Sequence, residues 1–248
     1  MKRSLIIANW KMYLTSLAEA NILATSVRNN VGNLDHAEVI LCPPSIWLTE
    51  IASIVGKGKV KLACQNISYE ENGPFTGEIS PKMLKGIAEY VLVGHSERRE
   101  YFGETDFDVS EKVAAALKNN ITPIICVGEK EKGEKISQPQ KELEEALSNL
   151  SDKDKKRVII AYEPLWAITS SSKQQNAEPE YVAKVITKLR ELVYRDTPIL
   201  YGGSVKPENV EGYAKRPEID GVLVGSASAK GVDFINICKI WTQTKNFK

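Results

Sequence analysis

The residue in this chain best placed to move a proton is a glutamate at the end of an apolar segment. Glu163 stands where the apolar, largely β-branched run that begins at Val158 stops, and Pro164 follows it at once. Proline cannot donate to a sheet ladder, so the chain leaves the strand for a loop at this point. A carboxylate at the apolar mouth of a buried strand loses water, and this makes it a better proton acceptor. A single glutamate of this kind is more often part of a surface ion pair, so its role depends on the other strand ends.

Other reactive side chains follow other apolar runs in the same way. Asn9 and Lys11 end the first run, and His95 follows the fourth within the sequence GHSER. Taken singly, Lys11 is typical of a surface lysine whose stem covers apolar groups, and His95 of a structural histidine. A cation, an imidazole and a carboxylate at three different strand ends are not explained by turn chemistry. Their convergence predicts a proton-transfer site.

Two segments with glycine supply groups of a different kind. Gly202-Gly203-Ser204 follows the seventh apolar run, and Gly225-Ser226 follows the eighth. Backbone N–H groups beside small residues can hold a phosphate without side-chain charge. A glycine pair alone predicts only a turn, but a phosphate site after strands seven and eight is usual in parallel barrels.

The segments that would position these residues are alternately predicted strands, which are short apolar runs, and predicted helices, in which apolar residues recur with helical spacing. Short apolar runs predict strands at 5–8, 38–41, 60–64, 90–93, 122–127, 158–161, 198–200 and 221–224. Segments of helical period predict helices at 17–29, 46–55, 81–87, 106–117, 142–150, 178–194 and 232–241. Ser16, Ser45 and Ser80 are the predicted N-terminal caps of the first three.

Eight strands that alternate with helical segments, without a composition break, predict an α/β fold. We expect residues 1–248 to form a single-domain closed parallel (β/α)8 barrel with its helices outside. The alternative is an open doubly wound sheet, which usually carries a glycine-rich phosphate fingerprint after the first strand. This chain has Asn9-Trp10-Lys11 there instead.

Composition limits the partners and the compartment. The 33 Lys and Arg residues nearly balance the 32 Asp and Glu residues, so nothing indicates affinity for nucleic acid or for a membrane surface. The four cysteines form no CxxC pair and are expected to be buried free thiols rather than zinc ligands. The apolar run 5–8 is too short for a signal peptide, and no run approaches a membrane span. We expect a reduced, cytoplasmic protein.

Four segments resemble, in order, the signature segments of the triosephosphate isomerase family. They are NWK at 9–11, GHSERR at 94–99, AYEPLWA at 161–167 and YGGSV at 201–205. Residues 64–80 also resemble the long third loop of that family, and the likeness covers essentially the whole chain. It implies a TIM barrel that interconverts dihydroxyacetone phosphate and D-glyceraldehyde 3-phosphate in glycolysis and gluconeogenesis. No metal or organic cofactor is implied, because fixed charges can stabilise a proton transfer.

The resemblance also implies a role for each matching residue. Glu163 would remove a carbon-bound proton, and neutral His95 would polarise the carbonyl and move protons between the oxygens of an enediolate. The family is itself a standard example of how an enzyme adjusts the pKa values of its acid and base. Lys11 would offset the negative charge, Asn9 would help to position it, and Glu97 matches a further catalytic position. The implied substrate-binding residues are Asn9, Lys11, Ser171, Ser204, Gly225 and Ser226.

The sixth loop departs from the family pattern. The family usually continues from Trp-Ala-Ile into Gly-Thr-Gly-Lys, whereas here Ile168 is followed by TSSSKQQN at 169–176. Ser171 keeps a backbone donor, but a positive φ there would be costly without glycine. We therefore expect catalysis to persist with altered kinetics of this water-excluding lid. Ser226 likewise replaces a family glycine and keeps its N–H.

The loop at 65–79 has no helical or strand pattern, and a long loop of this kind is usually functional. In the family it inserts into a neighbouring subunit, where the residue matching Thr76 approaches the partner's active site. The resemblance therefore implies a homodimer through this loop, with Thr76 as a contact. The alternative is a flexible surface excursion.

Two other functions compete with the isomerase. An aldolase with a Schiff-base lysine needs a lysine on a central strand, and the runs 90–93, 122–127 and 158–161 contain none. A barrel that only binds a ligand would not need a proton acceptor, so the joint presence of Lys11, His95 and Glu163 argues against it.

Overall fold

The computed structural model describes residues 3–31, 34–132, 137–168 and 176–245. Its strands are β1 Ser4–Asn9, β2 Ala37–Cys42, β3 Lys61–Cys64, β4 Tyr90–Val93, β5 Thr122–Val127, β6 Ile159–Tyr162, β7 Ile199–Tyr201 and β8 Gly221–Val224. Each strand pairs in parallel with the next, and β8 pairs with β1 to close the ring. This closed ring confirms the predicted (β/α)8 barrel and excludes the open doubly wound sheet.

Helices surround the ring. They are α1 Leu17–Val31, α2 Leu48–Val55, α3 Ser96–Phe102, α4 Asp106–Lys118, α5 Ser137–Leu147, α6 Asp152–Lys155, α7 Pro179–Arg190, α8 Val210–Ala214 and α9 Gly231–Thr244. Short 3₁₀ helices lie at Ser45–Trp47, Pro81–Leu84, Leu165–Ala167 and Ser226–Ala229. Across the described ranges, no helix combines the length and the apolar character that crossing a bilayer requires.

The apolar core has two layers because successive strand residues point to opposite faces. On β1, Leu5 and Ile7 belong to the layer inside the ring, whereas Ile6 and Ala8 belong to the layer between the strands and the helices. Both faces of the strands are therefore covered, as is usual in a parallel sheet. All four cysteines are buried free thiols, as predicted.

One predicted helix cap is wrong, one helix starts at the predicted residue, and one predicted cap is confirmed. Ser45 does not cap α2: it begins a 3₁₀ helix, its hydroxyl lies 3.6 Å from the Cys64 Sγ, and α2 starts only at Leu48. The helix at 106–117 is capped by Thr105, whose hydroxyl accepts from the Asp108 N–H in a capping box. The Ser80 cap is confirmed, because its Oγ accepts from the Lys82 N–H.

The sixth strand lies one residue later than predicted. Tyr162 pairs with Val127 in the register of β5 and β6, so the strand runs to Tyr162 rather than ending at Ala161. The Glu163 N–H then donates to the Val127 carbonyl at 2.8 Å. Glu163 is therefore attached to the barrel rim by its backbone and does not begin a free loop.

The loop at 65–79 contains neither helix nor strand, in agreement with the sequence pattern. Its base is closed by two hydrogen bonds, from the Ser68 N–H to the Ile79 carbonyl at 2.8 Å and from the Ser80 hydroxyl to the Glu71 carbonyl at 2.6 Å. Thr76, near its tip, is exposed. The loop is thus a compact projection with a fixed base.

Candidate active site

Glu163 and His95 meet at the rim of the barrel although 68 positions of sequence separate them. The carboxylate is 2% exposed, its Oε1 lies 3.4 Å from the His95 Nε2, and its Oε2 accepts from the Ser96 N–H at 3.2 Å. The carboxyl ends of β4 and β6 therefore deliver an imidazole and a carboxylate to one place.

A backbone hydrogen bond determines which nitrogen of His95 faces the site. His95 is the N-cap of α3, and its Nδ1 accepts from the Glu97 N–H at 3.2 Å. A neutral imidazole whose Nδ1 accepts must carry its proton on Nε2. His95 can therefore donate a hydrogen bond from the nitrogen that lies beside Glu163.

Lys11 reaches the same site in a strained backbone conformation. Its φ is +47°, a left-handed value that costs a non-glycine residue about 1 kcal/mol or more. Two neighbours hold this geometry: the Asn9 Oδ1 accepts from the Lys11 N–H at 3.0 Å, and the Gln65 Nε2 donates to the Lys11 carbonyl at 2.9 Å. The Lys11 Nζ lies 2.6 Å from the Glu97 Oε1, which fixes the ammonium group.

Two glycines make room for the backbone and stem of Glu163. A Cβ on Gly128 would lie 2.0 Å from the Glu163 carbonyl oxygen, and one on Gly202 would lie 2.8 Å from the Glu163 Cγ. Both distances are far shorter than a carbon contact allows. Gly202 thus leaves room for the side chain of Glu163, the proposed proton acceptor, in addition to its place in the loop after β7.

Three of the residues predicted to bind phosphate, Ser204, Gly225 and Ser226, line the same cleft as the proposed acid–base residues. Its lining includes Asn9, Lys11, His95, Glu163, Gly202, Gly203, Ser204, Gly225 and Ser226. In this conformation the Ser204 N–H donates to the Ala167 carbonyl at 3.1 Å. The predicted position Ser171 falls outside the described residues, as does most of the segment 169–176.

A buried thiol lies beside the carboxylate. Burial raises the pKa of Cys126 well above its usual value, and the charge of Glu163 raises it further. The thiol therefore stays protonated at neutral pH and adds no negative charge next to Glu163. Cys126 belongs to the layer inside the ring, so it supports the carboxylate from within the barrel.

Some residues of this neighbourhood were not selected from the sequence as site residues. Gln65, Gly128 and Glu129 lie just beyond the ends of β3 and β5, and Ser96 lies within the histidine motif. Position at a strand end was the available signal, but their contacts depend on how the strands are arranged in space. Gln65 holds the backbone of Lys11, Gly128 admits the backbone of Glu163, and Ser96 donates to its carboxylate.

The fold is a closed parallel barrel whose mouth carries a carboxylate, an imidazole and an ammonium group, an arrangement typical of a barrel enzyme. The chain belongs to the triosephosphate isomerase family, because the family model described as triosephosphate isomerase matches residues 4–241. This match confirms the family indicated by the sequence motifs, and it makes the protein an isomerase.

Similar proteins from several bacteria are named triosephosphate isomerase, in agreement with the family match. The chain is 42% identical to a protein named triosephosphate isomerase from Dehalococcoides mccartyi (strain CBDB1), with 96% of each chain covered. It is 43% identical to the protein of that name from Caldanaerobacter subterraneus subsp. tengcongensis, with 96% of this chain and 99% of the relative covered. For the one from Herpetosiphon aurantiacus the identity is 40% with the same coverage.

Proposed function

We propose that this protein interconverts dihydroxyacetone phosphate and D-glyceraldehyde 3-phosphate by proton transfer through an enediolate. The observation that supports this most directly is the 3.4 Å distance between the Glu163 Oε1 and the His95 Nε2 in a cleft that Lys11 also lines. The names of the relatives supply the substrate.

The proposed reaction uses Glu163 as the base. The carboxylate turns from the Ser96 N–H toward the substrate and takes a proton from the carbon next to the carbonyl. The electron pair left by that C–H bond forms the enediolate, and the His95 Nε2–H donates to the oxygen on which charge develops. His95 then moves a proton between the two oxygens, and Glu163 returns its proton to the neighbouring carbon. Substrate and product are isomers, so no oxidant or reductant is consumed.

Lys11 supplies the positive charge. Its ammonium group lies in the cleft beside Asn9, where it offsets the charge of the phosphate and of the enediolate. Glu97 holds this group, and its own N–H holds the His95 ring. We propose Asn9 and Glu97 as the residues that position these two groups.

The phosphate end is proposed to lie at the loops after β7 and β8. Ser204, Gly225 and Ser226 line the cleft there, and Ser226 begins a 3₁₀ helix. We propose that they bind the phosphate together with Ser171. In the described conformation the Ser204 N–H is bonded to the Ala167 carbonyl, which holds the Ser204 backbone at this end of the cleft.

The proposal also covers the assembly and the cellular role. We propose that residues 1–248 form one barrel domain and that two copies associate through the loop at 65–79, with Thr76 at the contact. The exposed tip of that loop and its fixed base support this arrangement. The reaction would serve glycolysis and gluconeogenesis in the cytoplasm.

A steady-state assay of dihydroxyacetone phosphate isomerisation tests the function. Turnover should exceed that of Glu163→Asp by a large factor, even though 169–176 lacks the family's lid glycines. Exchange of the carbon-bound proton with deuterated solvent should accompany it, which distinguishes an isomerase from a barrel that only binds. A wild-type rate no better than that of Glu163→Asp, or trapping of the substrate by borohydride, would contradict the proposal.

A further inference from the structure

A carboxylate outside the proposed proton-transfer set accepts hydrogen bonds from three aromatic side chains. Glu129 follows β5 and is 1% exposed. Its Oε1 accepts from the Tyr162 hydroxyl at 2.7 Å, from the Trp166 indole N–H at 2.9 Å and from the Tyr181 hydroxyl at 3.0 Å. We call these four residues the Glu129 cluster. The donors come from β6, from the 3₁₀ helix after it and from the first turn of α7.

Tyr181 contacts several members of this cluster, including the Tyr162 hydroxyl. Besides its bond to Glu129, its ring meets the Trp166 ring edge to face, with 5.6 Å between centroids and 72° between planes. Burial, followed by the charge of Glu129, raises the pKa of Tyr181 to about 12. The hydroxyl therefore keeps its proton at neutral pH and remains a donor.

The cluster joins the chain on both sides of residues 169–175. Trp166 lies before this segment, and Tyr181 lies after it in α7. On the far side the Tyr213 hydroxyl also donates to the Ala177 carbonyl at 2.8 Å. Glu129 thus connects Trp166, which lies before residues 169–175, to Tyr181 in α7, which lies after them.

A short series of contacts leads from Tyr181 to the phosphate end of the cleft. Tyr181 and Trp166 share one carboxylate oxygen, and Trp166 precedes Ala167, whose carbonyl accepts from the Ser204 N–H at 3.1 Å. Ser204 is a proposed phosphate-binding residue. The side chains of the proposed acid–base residues have partners outside the cluster, because the Ser96 N–H donates to Glu163 and Glu97 contacts both His95 and Lys11.

We propose that Tyr181 is a positioning residue for phosphate binding, acting through Glu129 and Trp166 on the Ala167–Ser204 contact. This inference rests on the proposed function for the meaning of Ser204. Without the hydroxyl, the 3₁₀ helix that carries Trp166 and Ala167 is held by fewer bonds, and keeping Ser204 in place for the phosphate then costs part of the binding energy. The effect should therefore fall on substrate affinity rather than on the proton transfer.

The test is Tyr181→Phe, which removes the hydroxyl and keeps the ring against Trp166. KM for dihydroxyacetone phosphate and the inhibition constant of inorganic phosphate should both rise about five- to tenfold, the usual effect of one lost hydrogen bond. The value of kcat should change less than twofold. The matched control is Tyr194→Phe: Tyr194 lies just beyond α7, and its ring faces the Lys156 Nζ at 4.8 Å. This control should leave both constants unchanged.

A second measurement needs no turnover. The Trp166 indole N–H resonance, assigned with Trp166→Phe in a ¹⁵N-labelled sample, should shift in Tyr181→Phe. The resonances of Trp10, Trp47 and Trp241 should not. An inactive wild-type protein would remove the proposed function but leave this readout intact. An unshifted Trp166 resonance, or a fall in kcat at constant KM, would overturn the positioning role.

Discussion

Glu97 serves His95 through its backbone and Lys11 through its side chain. The Glu97 N–H donates to the His95 Nδ1 at 3.2 Å, while the Glu97 Oε1 lies 2.6 Å from the Lys11 Nζ. One residue in the first turn of α3 therefore fixes both the tautomer of the imidazole and the place of the cation. Because the two functions use different atoms, substitution can separate them.

The first prediction uses this separation. Glu97→Gln keeps the N–H that faces His95 but removes the charge that holds the Lys11 ammonium. We expect kcat/KM to fall about ten- to a hundredfold, since a hydrogen bond between charged groups is lost. Steady-state kinetics provides the measurement, with the exposed Glu100→Gln on the same helix as the control. Equal effects of the two substitutions would contradict the role of the Glu97 carboxylate.

The second prediction concerns the proposed base. Glu163→Gln preserves shape and still accepts from the Ser96 N–H, but it cannot take a proton. We expect kcat/KM to fall at least about 10²–10⁴-fold, the usual contribution of general base catalysis, with little change in thermal unfolding. Exchange of substrate hydrogen with deuterated solvent should disappear at the same time. Exchange that persists at the wild-type rate would show that another group is the base.

The third prediction concerns the packing of Gly128. In Gly128→Ala the new Cβ would lie 2.0 Å from the Glu163 carbonyl oxygen, so the rim of the barrel has to shift. We expect about 1–3 kcal/mol of lost stability in denaturant unfolding, together with a clear loss of kcat. Gly212→Ala in α8 is the control, because the nearest atom there is the Pro179 Cγ at 3.1 Å. A Gly128→Ala protein as stable and active as the control would refute the close approach.

The fourth prediction concerns pH. Hydrogen bonds from Lys82, Lys118 and Asn119 hold the pKa of Glu71 at about 2, against an ordinary value of 4.5. A depressed folded-state pKa stabilises the protein above the unfolded-state pKa, and this contribution is lost as pH falls from about 4.5 toward 2. Glu71→Gln should therefore lose less thermal stability than wild type over that range.

The control for this prediction is Glu144→Gln, an exposed position on α5. Its melting temperature should follow the wild-type pH dependence. Identical acid profiles for wild type and Glu71→Gln, recorded by circular dichroism, would contradict the role of Glu71 at the base of the loop at 65–79.

The fifth prediction tests the assembly. Thr76→Arg adds a long charged side chain at the exposed tip of the loop at 65–79 and should convert the proposed dimer to monomer in light scattering. Ile22→Arg, on the outer helix α1 and also exposed, should leave the mass unchanged. A wild-type protein that is purely monomeric at micromolar concentration would remove the basis of this prediction.

Much of the barrel was predictable from local pattern. The strands at 90–93, 122–127 and 221–224 have the predicted bounds, because each is a continuous apolar run ended by polar residues or glycine. Helix starts were less predictable. Ser45 is a suitable capping residue, but its hydroxyl lies near the Cys64 Sγ, a contact that only the assembled barrel brings about.

The same division applies to the site. Lys11, His95 and Glu163 could be grouped from sequence because the carboxyl ends of parallel strands meet at one rim. The Glu129 cluster could not, since its donors lie 33 to 52 positions from the carboxylate and share no periodic pattern. Contacts of this kind depend on the register of the strands and on the direction of each side chain.

Gly128 and Gly202 also restrict how this enzyme can be redesigned. They press against the main chain and the stem of Glu163, so the position of the proposed base is fixed and only rotation about its side-chain bonds can redirect it. A larger or smaller substrate cannot be accommodated by relocating the base. New specificity would instead have to come from other residues that line the cleft, such as Ser204 and Ser226.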